Sequence, residues 1–129
     1  MSVRVWVIFA ASALLLAGFT SSGRQAHRQT QLRVTMTLQR CLAAPIEVEP
    51  GTMVFRVTNR TRWPRVFTIA GRRTKYIQPG HSGALRVELE RTGIYRYFCL
   101  SRGPNARLRT GAVAVRPAPV PPPPPSPNN

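Results

Sequence analysis

From residue 32 onward the chain alternates. Leu32, Val34, Met36 and Leu38 are separated by Arg33, Thr35, Thr37 and Gln39, which predicts a half-buried strand with its even-numbered face inward. Cys41 follows just past the end of that strand. Residues 45–49, Pro-Ile-Glu-Val-Glu, predict a short strand broken at Pro50-Gly51, a pair suited to reversing the chain. The strand over 52–58 alternates Met53, Phe55 and Val57 against Val54 and Arg56, and it ends at Asn59. Residues 59–65 read as a loop, and 66–70 as a β-rich run closed by Gly71. Arg72-Arg73-Thr74-Lys75 reads as a basic turn, Tyr76-Ile77 as a brief extended piece and Pro79-Gly80 as a second turn. Leu85, Val87 and Leu89 give a strand with an odd-numbered apolar face. Thr92-Gly93 turns the chain into a strand over 94–99 that delivers Cys99, and a last strand covers 112–115. About eight strands at short intervals, with no helical period, call for an all-β sandwich or small barrel.

The two ends differ from this middle. Arg4 precedes an apolar run over 5–19, followed by the small polar group Thr20-Ser21-Ser22-Gly23. A basic start, a short apolar stretch and small residues describe a secretory signal peptide, expected over 1–23. The run is shorter than the roughly 20 residues that cross a bilayer comfortably, so an uncleaved membrane anchor is the alternative. Residues 24–31 are polar and expected to form a flexible lead-in, and 32–116 form the domain. Residues 117–129 are dominated by proline, which favours an extended polyproline tail acting as a spacer or recognition segment. The expected location is periplasmic or extracellular, and membrane-tethered if 5–19 is retained.

Charge narrows the range of partners. The formal net charge is +15, and all but one of the 19 basic residues are arginine, Lys75 being the exception. This balance favours an anionic ligand or an acidic protein surface. Nucleic acid is disfavoured: Trp63 alone stands out as a stacking residue, and an exported protein seldom meets nucleic acid. Membrane contact is expected only through an uncleaved N-terminal segment. The chain has no arrangement suited to catalysis. Its two histidines, His27 and His81, are dispersed, and its four acids, Glu47, Glu49, Glu88 and Glu90, alternate along strands. The two cysteines of an exported chain favour one disulfide over two free thiols.

The order Glu49-Pro50-Gly51, Phe55-Arg-Val-Thr-Asn59, Pro64-Arg65-Val-Phe, Gln78-Pro79-Gly80 and Gly93-Ile-Tyr95-Arg-Tyr97-Phe-Cys99 resembles the cupredoxins, the small blue-copper proteins, and among them secreted bacterial cupredoxin-like domains. The likeness covers roughly 32–116. It implies a Greek-key β-sandwich and a copper ion held by two histidines, a cysteine and a weak axial methionine. Cys99 matches the cysteine. Arg65, after Pro64, stands at the position of the first histidine, Pro104 at that of the second and Arg109 at that of the methionine. Proline offers no side-chain donor and a guanidinium stays protonated, so neither replaces a histidine on a cation. His27 and His81 lie away from the ligand loops, and Met36 and Met53 fall on apolar strand faces as core residues.

The resemblance also places Cys41 beneath the metal loops, where a Cys41–Cys99 bridge would tie the first strand to the penultimate one; two buried free thiols are the alternative. The expectation is a non-catalytic domain without copper or another cofactor. Its loops at the former copper end would present Arg60, Arg62, Trp63, Arg65, Arg102, Arg107 and Arg109 to an anionic ligand or a protein partner. The competing expectation is a copper-binding electron carrier or copper-handling protein that uses Cys99 with Cys41.

Overall fold

A computed structural model of the chain describes residues 28–103 and 106–127. The apolar run over 5–19, His27 and Pro104 lie outside the described residues.

Nine strands are present among the described residues: β1 Gln29–Met36, β2 Cys41–Ala44, β3 Glu47–Val48, β4 Gly51–Asn59, β5 Arg65–Ile69, β6 Arg72–Arg73, β7 Ser82–Leu89, β8 Gly93–Ser101 and β9 Leu108–Val115. They form two mixed sheets, ordered β2-β1-β4-β7 and β3-β9-β8-β5-β6. β1 runs parallel to β4 and β3 parallel to β9, while the other pairs are antiparallel. No described residue lies in a helix.

The period-two pattern becomes the core. Leu32, Val34, Met36, Met53, Phe55, Val57, Val87 and Leu89 point inward from the first sheet. Phe67, Ile69, Tyr97, Cys99, Val113 and Val115 meet them from the second. Full burial of a large apolar side chain contributes about 1.5–3 kcal/mol, so these two rows are the main source of cohesion. Phe55, Phe67 and Tyr97 carry an aromatic chain across the interior, with centroid separations of 5.2 and 5.5 Å in tilted geometry. Met36 and Met53 are core residues, as their positions on the apolar faces imply.

Several boundaries differ from the sequence expectation. β1 begins at Gln29, inside the segment 24–31 expected as a lead-in, because Gln29, Thr30 and Gln31 pair with Thr52, Met53 and Val54 of β4. β1 stops at Met36, and Leu38, expected to face inward, is 52% exposed. The reason is local: the Thr37 amide donates to the Arg40 carbonyl and the Arg40 amide donates to Thr37 Oγ1, which turns the chain. Cys41 therefore opens a strand of its own, β2, laid antiparallel on β1. The short strand expected over 45–49 is limited to Glu47–Val48. Arg72–Arg73, expected as a turn, pairs with Thr68 and Ile69 as β6. β9 begins at Leu108 instead of residue 112, extending its pairing with β8 as far as Leu100.

Tyr97 joins the sheets. Its hydroxyl accepts a hydrogen bond from the Ala43 amide at 3.0 Å and donates to the Cys41 carbonyl at 3.1 Å, so a β8 side chain holds the backbone of β2. Directly opposite Tyr97 on β9 is Gly111, where a Cβ would fall 2.1 Å from the Tyr97 hydroxyl oxygen. Only a glycine leaves room for this ring position. Tyr97→Phe is expected to lower unfolding free energy by about 1–3 kcal/mol, because it strands a buried amide and a carbonyl. Gly111→Ala, which displaces the ring itself, is expected to cost about as much through overpacking. Urea denaturation of both variants checks this, and an unchanged midpoint for either would contradict it.

Candidate anion site at the open end of the sandwich

The candidate residues lie where β5 begins, β8 ends and β9 starts, facing the 37–40 turn of the other sheet. Asn59, with none of its surface exposed, organises the loop that follows it. Its Nδ2 donates to the Trp63 and Ile77 carbonyls, each at 2.8 Å, and its Oδ1 accepts from the Thr61 amide and hydroxyl. The Asn59 backbone pairs with the turn at residues 80 and 81, and the Arg102 amide donates to the Pro64 carbonyl at 2.9 Å. The 59–65 loop is thus held on both flanks, and it presents Trp63 at 48% exposure.

Arg65 is the unusual residue here. Its backbone exchanges hydrogen bonds with Ile77, and its side chain is 2% exposed. Arg65 Nη1 donates to the Thr37 carbonyl at 2.9 Å, while the buried Nε has no hydrogen-bond partner among the described residues. Burial, and after it the charge of Arg109, hold the Arg65 guanidinium below the usual arginine range. It nevertheless stays protonated. Arg109 lies opposite Cys99 in the β8–β9 ladder and donates from Nε and Nη2 to the Leu38 carbonyl. Two guanidiniums from one sheet therefore reach successive carbonyls of the turn that ends β1.

Between them lies a cleft of about 370 Å³ lined by Leu38, Gln39, Trp63, Arg65, Ser101, Arg107 and Arg109. Ser101 pairs with Arg65 across β5 and β8, and its hydroxyl accepts from the Arg107 amide. A Cβ at Gly103 would come within 3.3 Å of the Trp63 indole, so the ring rests against that backbone at the rim. No aspartate or glutamate lines the cleft. Glu47 pairs with Arg116, Glu49 with Arg28 and Glu88 with Thr52, all elsewhere.

Of the seven residues expected at this end, the fold gathers Trp63, Arg65, Arg107 and Arg109 around the cleft. It separates the other three. Arg60 faces a different groove with Arg33 and Arg56, Arg62 is exposed outside the cleft, and Arg102 stacks over the Tyr76 ring at 5.0 Å. Leu38, Gln39 and Ser101 were not legible as site residues, since a turn and a register pairing bring them in. His81 is exposed beside its turn.

Beneath the cleft, Cys41 and Cys99 form a disulfide with a Cα separation of 6.3 Å, and no described cysteine is free. No group of three or more histidine, cysteine, aspartate or glutamate side chains is placed to hold a metal among the described residues.

No protein-family model matches the chain, and no curated protein matches it. Solved structures do. Dithionite-reduced auracyanin from Roseiflexus castenholzii superposes with a TM-score of 0.51 at 13% identity, over 68% of this chain and 98% of that one. The fold is cupredoxin-like. A multicopper oxidase (TM-score 0.47, 15% identity) and the blue copper oxidase of Nitrosomonas europaea (0.44, 17%) match over 70% and 72% of this chain; it spans 42% and 40% of theirs. At these identities the likeness concerns architecture. The cupredoxin-like sandwich accounts for the meeting of the ends of β5, β8 and β9 at one pole, with Cys99 on the inner face there.

Two stability predictions follow from this pole. The bridge closes a loop with a sequence separation of 58, so removing it as Cys41→Ala with Cys99→Ala is expected to cost about 2–4 kcal/mol, read as a lower urea midpoint than that of the oxidised parent. Asn59→Ala leaves the buried Thr61 amide without its acceptor and removes one of the two donors to each of the Trp63 and Ile77 carbonyls, and it is expected to cost about 2 kcal/mol or more. Its denaturation curve should shift by more than that of Arg62→Ala, an exposed residue of the same loop.

Proposed function

We propose that this is an exported, non-catalytic cupredoxin-like domain that binds an anionic partner at the pole where the cupredoxin resemblance places a copper ion. The observation that carries the reading is the pairing of Cys99 with Cys41, with Arg65 buried two residues along β5 from Phe67, the ladder partner of Cys99. A cysteine ligates copper as a thiolate, and a sulfur in a disulfide has no such charge to offer. Arg65 and Arg109 stand at positions that the resemblance gives to a histidine and a methionine. Two protonated guanidiniums repel a cation and donate hydrogen bonds instead of accepting a metal. The residues of this pole do not fit a type 1 copper ion.

The accessory role follows from what the pole offers. It has donors in a concave setting and, among the described residues, no acid or imidazole positioned to move a proton. Export is supported by the sequence pattern over 1–23 and by the disulfide, which persists in oxidising compartments. No helix among the described residues is long and apolar enough to cross a membrane.

One observation favours a second reading, a copper-handling protein: reduction of the bridge would free two adjacent thiolates, a set that suits copper in its reduced state. A single experiment separates the two. Protein purified from its own compartment is expected to contain no stoichiometric copper, to stay colourless on copper addition and to show no reactive thiols. A blue, copper-loaded protein, or tight copper binding abolished by Cys99→Ser, would overturn the proposal.

A further inference from the structure

The cleft at this pole carries three arginines and no side-chain carboxylate among the described residues. Bringing a charge out of water costs several kcal/mol unless a counter-charge and hydrogen bonds compensate it. Arg65 is buried with a single side-chain hydrogen bond, to a neutral carbonyl, and with an orphaned Nε. Arg109 spends two donors on one carbonyl, and the exposed Arg107 side chain makes no hydrogen bond to a described residue. Positive charge is therefore concentrated in a concave space with donors to spare.

Resting on the proposed reading of this pole as an anion-binding end, we infer that the cleft is a site for a doubly charged tetrahedral oxyanion, a phosphate monoester or sulfate group, held between Arg65, Arg107 and Arg109 with Ser101 at its edge. Charge selects the class: a single carboxylate would leave most of the positive charge unmatched, whereas a dianion with several acceptor oxygens can engage several guanidinium forks at once. Volume agrees, since about 370 Å³ lies at the small end of ligand pockets. An extended polyanion is a poor fit, because these arginines are gathered in one cleft and do not form a stripe. The Trp63 indole at the rim gives whatever bears the anionic group a flat apolar surface to rest on.

The test is calorimetric titration of the full oxidised chain with methyl phosphate, sulfate and acetate. Saturable one-to-one binding of methyl phosphate and sulfate is expected, with acetate at least about ten-fold weaker. Methyl phosphate affinity should rise between pH 5 and 7.5, as the second ionisation near about pH 6 completes the dianion, while sulfate affinity stays level. Arg107→Gln, which leaves the fold's hydrogen bonds intact, and Arg109→Gln should each weaken binding about ten-fold or more, and Arg96→Gln on the outer face should change it less than about two-fold. Equal affinity for acetate, equal losses for Arg96→Gln and Arg107→Gln, or a loss confined to Arg33→Gln and Arg56→Gln would each overturn the inference. Phosphatidylcholine vesicles with and without phosphatidic acid identify the source. Retention by the acidic vesicles that Arg107→Gln weakens and Arg96→Gln does not assigns a lipid headgroup, binding of methyl phosphate without such retention assigns a soluble ester, and binding of neither overturns the site. Copper analysis of the same preparation separates two failures: copper-free protein that binds no oxyanion refutes this inference alone, and copper-loaded protein refutes the reading beneath it.

Discussion

The structure depends on the clasp between β2 and β8. Covalently it is the Cys41–Cys99 bond, and beside it the Tyr97 hydroxyl holds the Cys41 carbonyl and the Ala43 amide. Sandwich cores are non-directional: apolar rows from two sheets can slide before they lose much contact. The clasp removes that freedom at one pole. It fixes the start of β2, and with it the 37–40 turn, against the end of β8. The carbonyls of Thr37 and Leu38 thereby become fixed acceptors, and the guanidiniums of Arg65 and Arg109 reach them from the opposite sheet. Every feature of the cleft is referred to that registration.

Much of the fold was legible because burial on one face imposes a period of two, and the period survives in Leu32 to Met36, Met53 to Val57 and Leu85 to Leu89. The failures have physical causes. Alternation ran on to Leu38 although the chain had already turned, since a turn made by Thr37 Oγ1 and the Arg40 amide leaves the hydrophobic pattern untouched. β2 was invisible because Cys-Leu-Ala-Ala is short and carries small residues, and its pairing partner lies across a turn. The start of β9 was hidden by Gly111, a residue poor in strand preference but required there by the Tyr97 ring.

The site was legible to a lesser degree. The pairing of Cys41 with Cys99 and the special positions of Arg65 and Arg109 came from the resemblance, and the disulfide is present in the fold. Which arginines act together could not be read along the chain, because the answer depends on faces. Arg60 and Arg65 are close in sequence and end on different sides of the loop that Asn59 holds, while Arg102 is drawn aside by the Tyr76 ring. Sequence gives the charge; only register and loop anchoring decide where the charge is concentrated.

Under the proposed function, the guanidinium at residue 65 bears on anion binding more than on stability. An apolar side chain of similar volume would fill the same space beneath the loops without any desolvation cost, and such replacements of buried charges are often neutral or stabilising. Arg65 instead holds one carbonyl and leaves a buried donor unmatched, beside a second arginine that raises the cost further. Neither the sheet registration, set by the clasp, nor the loop, set by Asn59, needs that charge. A preorganised donor set held open by covalent and backbone constraints is what an anion site requires, because the cost of bringing the arginines together is met during folding and not during binding. Under the proposed function, the rigidity that the clasp and Asn59 give this pole is what lets it serve a ligand of negative charge.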